Sequence, residues 1–285
     1  MNKKRPVFAY VLTILNALTA GYLSFNGILH WQTVYAKNSI YLLNQIIAQD
    51  LVTFFLGMPM LLITALMAIN GSARGYLAWL GVLSYFISTF LGYACGIAFN
   101  QFYLFYVTVF SLSLFAMIGG VISLDIETFC LRFASRTPVK TIALFLGGSG
   151  LALAWQWLKV ILPAVSKGGG EPLLLKMLGT TSLVNQVADL GIVFPLAIAG
   201  AVWIWKRNSW GYILAGVLLI DGFFKGFTFL TAQWVFYINS KKPVSELLAF
   251  WGALTVLMLI LIFTILRNLR EETIQSHHNR ITAEV

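Results

Sequence analysis

Eight apolar runs, each about long enough to cross a bilayer, divide this chain with mostly short polar turns between them. A hydrocarbon core about 30 Å thick takes about 20 apolar residues as a helix. Inside that core each backbone amide and carbonyl must find its partner within the protein, which selects helices over irregular chain. The 285 residues are 59% hydrophobic and 10% charged, with a mean hydropathy of +0.83. Too little polar surface is left to coat a soluble protein of this size. The expected fold class is an all-α integral membrane protein with eight transmembrane helices.

The spans are expected at about 7–29, 51–69, 75–99 and 102–124, then at about 141–162, 189–205, 211–237 and 247–266. The first is long for a signal peptide and is followed by no small-residue cleavage site, so it reads as a span. From Ser39 onward, Ile40, Leu43 and Ile47 recur at helical spacing, which predicts an interfacial helix lying along the membrane. Pro138 ends an inner connection and opens the fifth helix. Residues 267–285, including His277 and His278, are expected to form a polar cytoplasmic tail.

The net charge of +9 is split among short turns and forms no continuous stripe, so nucleic acid is not an expected partner. With both termini cytoplasmic, Lys3, Lys4, Arg5, Arg74, Arg132, Arg136, Lys140, Lys206, Arg207, Arg267, Arg270 and Arg280 lie inside. Lys37, Lys167, Lys176, Lys241 and Lys242 lie outside, and twelve against five satisfies the positive-inside rule. Trp31, Trp155, Trp157 and Trp234 near outer ends, with Trp79, Trp203, Trp205 and Trp210 near inner ends, fit two aromatic belts. Cys95 and Cys130 fall near opposite faces, so no disulfide is expected between them. The lipid bilayer is the partner implied throughout, and the compact chain with short loops points to a bacterial plasma membrane.

Sliding the chain against itself until Pro59 falls on Pro195 also sets Ala65 on Ala201, Gly75-Tyr76 on Gly211-Tyr212 and Leu83 on Leu219. An Asn-Gln pair precedes each unit, Asn44-Gln45 and Asn185-Gln186, followed by Asp50-Leu51 and Asp189-Leu190. The pattern suggests two parallel four-helix repeats, residues 1–138 and 139–266, related by a pseudo-twofold axis along the membrane normal. Transporters built this way carry their sites at the repeat interface near the midplane.

The seventh run carries Asp221 and Lys225 roughly 15 and 21 Å from its Gly211 end, at 1.5 Å per residue. Each charge costs about 2.5–3.5 kcal/mol at the bilayer centre on insertion scales, so the two must be compensated or wetted. Spacing i, i+4 stacks them on one face, where they can pair with each other or form an ion or proton site. Gly222 and Gly226 beside them would admit a neighbouring helix closely. In the repeat frame Asp221 corresponds to Tyr85 and Lys225 to Thr89, which places a phenol across the axis as a donor to the carboxylate.

Asp50 and Asp189 are expected as N-caps of the second and sixth spans. Alternatively they form an outer vestibule for a cation with Asn44, Gln45, Asn185 and Gln186. No HExxH, CxxC, Walker loop or nucleophile elbow is present, and no metal site or cofactor is expected. The functions left are a small transporter or permease for an ion or polar solute, and a non-catalytic subunit, sensor or immunity protein with a membrane-protein partner. A lipid- or quinone-linked membrane enzyme is a third.

Overall fold

The computed structural model describes residues 6–166, 168, 171–240 and 248–271. Lys3 to Arg5, Lys167, Gly169, Gly170, Lys241, Lys242, Pro243 and the tail with His277, His278 and Arg280 lie outside the described residues. Helix α1 (Val7–Leu29) leads through a short α2 (Trp31–Val34) to α3 (Ile40–Val52), a π turn (Thr53–Gly57) and α4 (Met58–Ile69). Next come α5 (Ala73–Gly96), α6 (Tyr103–Ser123) and a short α7 (Ile126–Cys130). The second half has α8 (Val139–Ser166), α9 (Leu173–Leu178), α10 (Val184–Ala188), a second π turn (Asp189–Val193) and α11 (Phe194–Trp205). Helices α12 (Ser209–Ser240) and α13 (Leu248–Asn268) complete it. Eight helical stretches are long and apolar enough to cross a membrane, and no strand occurs among the described residues.

The second and sixth spans begin earlier than expected. Ile40–Ile69 is one unbroken helical stretch, so the residues from Ser39 onward start the second span and do not lie apart as an interfacial helix. Ser39, not Asp50, caps it, accepting a bond from the Leu42 amide at 3.3 Å. Likewise the sixth span begins at Val184, leaving Asp189 within it. Local capping logic failed because both carboxylates find partners on other helices, which lets the helix run straight through them.

The long helices α5 and α12 cross at the centre of the molecule. Helices α4 and α6 flank α5, while α11 and α13 flank α12; α3 reaches over to α12 and α10 to α5. Helix α1 packs on α6 and α4, and α8 packs on α11. Lipid tails are as apolar as leucine, so this assembly depends on close packing and on bonds between helices. Asn16 donates to Ser113 at 2.6 Å from α1 to α6, and Tyr76 donates to the Gly120 carbonyl at 2.7 Å from α5 to α6. Trp79 is fully buried and donates to Thr13 at 3.1 Å. It therefore belongs to the core and not to an interfacial belt.

At one end, Glu271 is held against the start of α5, accepting from Ser72 and from the Ala73 and Arg74 amides. A carboxylate there complements the positive end of the helix dipole. The first residues after α13 are thus tied down and do not belong to the frayed tail.

Candidate functional site

On α12, Asp221 and Lys225 face the same way and pair at 3.1 Å. Lys225 also reaches Asp189 at 3.4 Å, where the second π turn begins. Asp189 accepts from the Trp157 indole at 3.0 Å, and Asp221 accepts from the Ser88 hydroxyl at 3.1 Å. One ammonium therefore serves two carboxylates, and the cluster carries one negative charge in excess. Asp221 is almost fully buried, but the side chain of Lys225 is 34% exposed, so the cluster opens on one side. Met258 and Thr255 of α13 close on Gly222 and Gly226, as the small residues there anticipated.

Across the α5–α12 crossing lies a neutral set. Gln49 donates to Tyr85 at 2.6 Å and to Thr89 at 3.2 Å, and Thr53 bonds the Tyr85 hydroxyl at 2.8 Å. The ring of Tyr85 stacks on Phe224 with centroids 4.4 Å apart. Tyr85 thus meets α12 through its ring, and its hydroxyl turns to α3. The hydroxyl that serves Asp221 is Ser88, about one helical turn further along α5.

No family model, curated protein or solved structure matches this chain.

Of the residues expected to share an outer vestibule, Asn44, Asp50 and Asp189 have separate partners. Asn44 donates to the Ile40 carbonyl at 2.9 Å and accepts from Asn239 at 2.8 Å. Gln45 and Asn185 are exposed, whereas Gln186 is buried. Asp50 is buried and accepts from Tyr35 at 2.7 Å and from Tyr93 at 2.8 Å. Asp189 joins the Asp221 cluster instead. Gln49, Ser88, Tyr35 and Tyr93 carry no sequence expectation, and Trp157, expected only in an aromatic belt, bonds Asp189. For Gln49 a signal existed: the shift that sets Pro59 on Pro195 also sets Gln49 on Asn185 and Thr53 on Asp189.

Among the described residues no group of three or more His, Cys, Asp or Glu side chains could hold a metal ion. What Asp221, Asp189 and Lys225 can do chemically follows from their charge. A second cation, a proton or an amine would balance the surplus carboxylate, and Lys225 would exchange between its two partners as the newcomer binds.

Proposed function

We propose that this protein is a small transporter for a monovalent cation or a small polar solute bearing positive charge, with Asp221, Asp189 and Lys225 as its binding site. The observation that carries the reading is one lysine, its side chain 34% exposed, shared by two carboxylates that lie within apolar helices long enough to span a membrane. Ionisable groups in that setting mark ion or solute pathways, because a merely structural pair needs no surplus charge.

The transporter is read as two parallel four-helix units with both termini cytoplasmic, and several features support that architecture. Each π turn is followed by a proline, Pro59 and Pro195, in the same register. Gly75 lies against the backbone at Met67–Ala68, and Gly211 against the backbone at Trp203–Ile204, and these positions correspond under the shift that superposes the two prolines. Ser72 caps α5 and the Asn208 side chain accepts from the Trp210 amide at the start of α12, again in register. Gln49, Thr53, Tyr85 and Thr89 correspond in turn to Asn185, Asp189, Asp221 and Lys225. The contacts Tyr85 with Phe224 and Ser88 with Asp221 exchange under the same operation, as a twofold relation requires.

A second reading is a membrane subunit, sensor or immunity protein that works through helix contacts. One observation favours it: α1 packs on α6 in the first half, whereas α8 and α13 show no comparable packing among the described residues. A partner helix against α8 or α13 would supply the packing that α1 gives α6.

Thermal unfolding of the purified protein against monovalent cations and small amines, alongside Asp221→Asn, separates these readings. A ligand at 100 times its dissociation constant stabilises the fold by about 2.7 kcal/mol. A shift in the wild type that vanishes in the variant, with flux lost from vesicles, is the expected result. Normal flux by Asp221→Asn would sink the transport mechanism, and a stoichiometric co-purifying membrane protein would favour the second reading.

A further inference from the structure

Asp50 differs from Asp221 and Asp189 in having no cation beside it. It lies about 15 Å along its span from Ile40, at 1.5 Å per residue, and is 2% exposed. Its partners are hydroxyls alone. Tyr35 and Tyr93 donate to its two oxygens, and the Ser24 hydroxyl stands beside it. No lysine, arginine or histidine among the described residues pairs with it.

His30 and Lys37, on either side of Tyr35 in the chain, are exposed, and among the described residues no basic side chain pairs with Asp50. Helix α1 presents Ser24 and Gly27, and a Cβ on Gly27 would collide with the Asp50 carboxylate and the Tyr35 hydroxyl. Helix α5 presents Tyr93 and, further off, Tyr85; α6 presents Tyr106. Helix α12 lays Ala232 and Val235 against this part of the second span, and its Lys225 is engaged by Asp189 and Asp221. Helix α9 meets α3 at Ser39. Burial, and then the Asp50 charge, push the Tyr35 phenol well above its ordinary value, so Tyr35 stays a donor.

A second observation points from Asp50 toward the end of the bundle. The Tyr106 hydroxyl lies next to Tyr35 and to Asn100, is buried, and is in bonding geometry with neither. The Asn100 amide nitrogen is likewise without a partner. Asn100 sits in the turn between α5 and α6, where the Asn38 side chain accepts from the Ala98 amide and draws the α2–α3 loop alongside. Few buried hydroxyls are left unpaired, and such groups call for a function or a guest.

We propose that Asp50 is a proton-binding site, distinct from the Asp221 cluster, reached from the Asn100 turn through Tyr106 and Tyr35. A proton needs no cavity, and it would neutralise Asp50 where no Lys or Arg among the described residues does. The transfer balances as a relay. A proton arriving from water binds the Tyr106 oxygen as that hydroxyl passes its own hydrogen to the Tyr35 oxygen. Tyr35 releases its hydrogen to the Asp50 Oδ2. Each phenol ends with one hydrogen, and Asp50 ends as a neutral acid that donates to Tyr35. The two phenol oxygens lie side by side and close to bonding geometry in that step, and the hydrogen that Tyr35 then carries points back at the Tyr106 oxygen.

Infrared difference spectra of aspartate-labelled protein, recorded as pH is lowered across the range in which it stays folded, test this directly. A carboxylic acid band is expected to appear that is absent from Asp50→Asn and retained in Asp221→Asn. In Tyr93→Phe, which loses a donor to the carbonyl, the band should move to higher frequency, which assigns it even where Asp50→Asn does not fold. In Tyr106→Phe, hydrogen–deuterium exchange at the acid should slow by on the order of a hundredfold. A band that survives in Asp50→Asn, that stays fixed in Tyr93→Phe, or that never titrates overturns the site. An unchanged exchange rate in Tyr106→Phe overturns the relay. Neither result depends on whether the protein transports.

Discussion

The two polar sets at the α5–α12 crossing occupy similar places on their helices and behave in opposite ways. Around Tyr85, neutral groups satisfy one another, and the phenol is 1% exposed. Around Asp221, one lysine is divided between two acids and a third of its side chain is open. Closed and neutral against open and charged is the difference expected between a region that holds helices together and one that receives something. Under the proposed repeat, the comparison teaches that a single backbone frame accepts either chemistry, since both neutral and charged groups can bond between helices in a membrane.

The frame itself gives the largest expected effect. Gly75→Ala drives a Cβ into the Met67 Cβ and the backbone beside it, and Gly211→Ala into the backbone at Trp203–Ile204, where no flexible side-chain end can give way. Each should cost about 3 kcal/mol, read as a fall in thermal unfolding temperature or in the yield of folded protein. Unequal losses would break the comparison, since the two turns would then not be equivalent. Next comes charge. Lys225→Met leaves two carboxylates without a cation and should cost about 2 kcal/mol after allowance for the partial exposure of the lysine. Asp221→Asn leaves one lysine with one carboxylate, so it should destabilise less. Finding Asp221→Asn the worse of the two would make the pair structural. The smallest effect belongs to the neutral side: Tyr85→Phe frees Gln49 and Thr53 from one bond each and should cost about 1 kcal/mol without altering ligand-induced stabilisation.

Much of the scaffold was legible because hydropathy and turn chemistry are local. The first span, the break at Asn70-Gly71 and the opening of α8 after Pro138 all follow from residues next to one another. Asp50 and Asp189 were misread for the same reason. A carboxylate ahead of an apolar run looks like a cap unless its true partners are known, and those are Tyr93 and Lys225, far along the chain. The pair Asp221–Lys225 was legible at i, i+4, but Asp189 could join it only once α11 was placed beside α12. The alignment of the two proposed repeats pointed to Tyr85 as the donor to Asp221, whereas the donor is Ser88, about one turn along the same helix. Crossing geometry, which chose Ser88 over Tyr85, leaves no trace in an alignment of apolar residues.

The π turn at Thr53–Gly57 gives the second span one place where its residue count can fall by one. It holds one residue more than an α-helical turn, so removing a residue there would let the turn close to regular geometry while the segments on either side kept their mutual register. Gln49 would stay on Tyr85 and Asp50 on Tyr93, with Pro59 and the rest of α4 in place. Elsewhere in the span the same deletion has no surplus to absorb it, and everything before it would rotate by about 100° and shift by about 1.5 Å relative to everything after it.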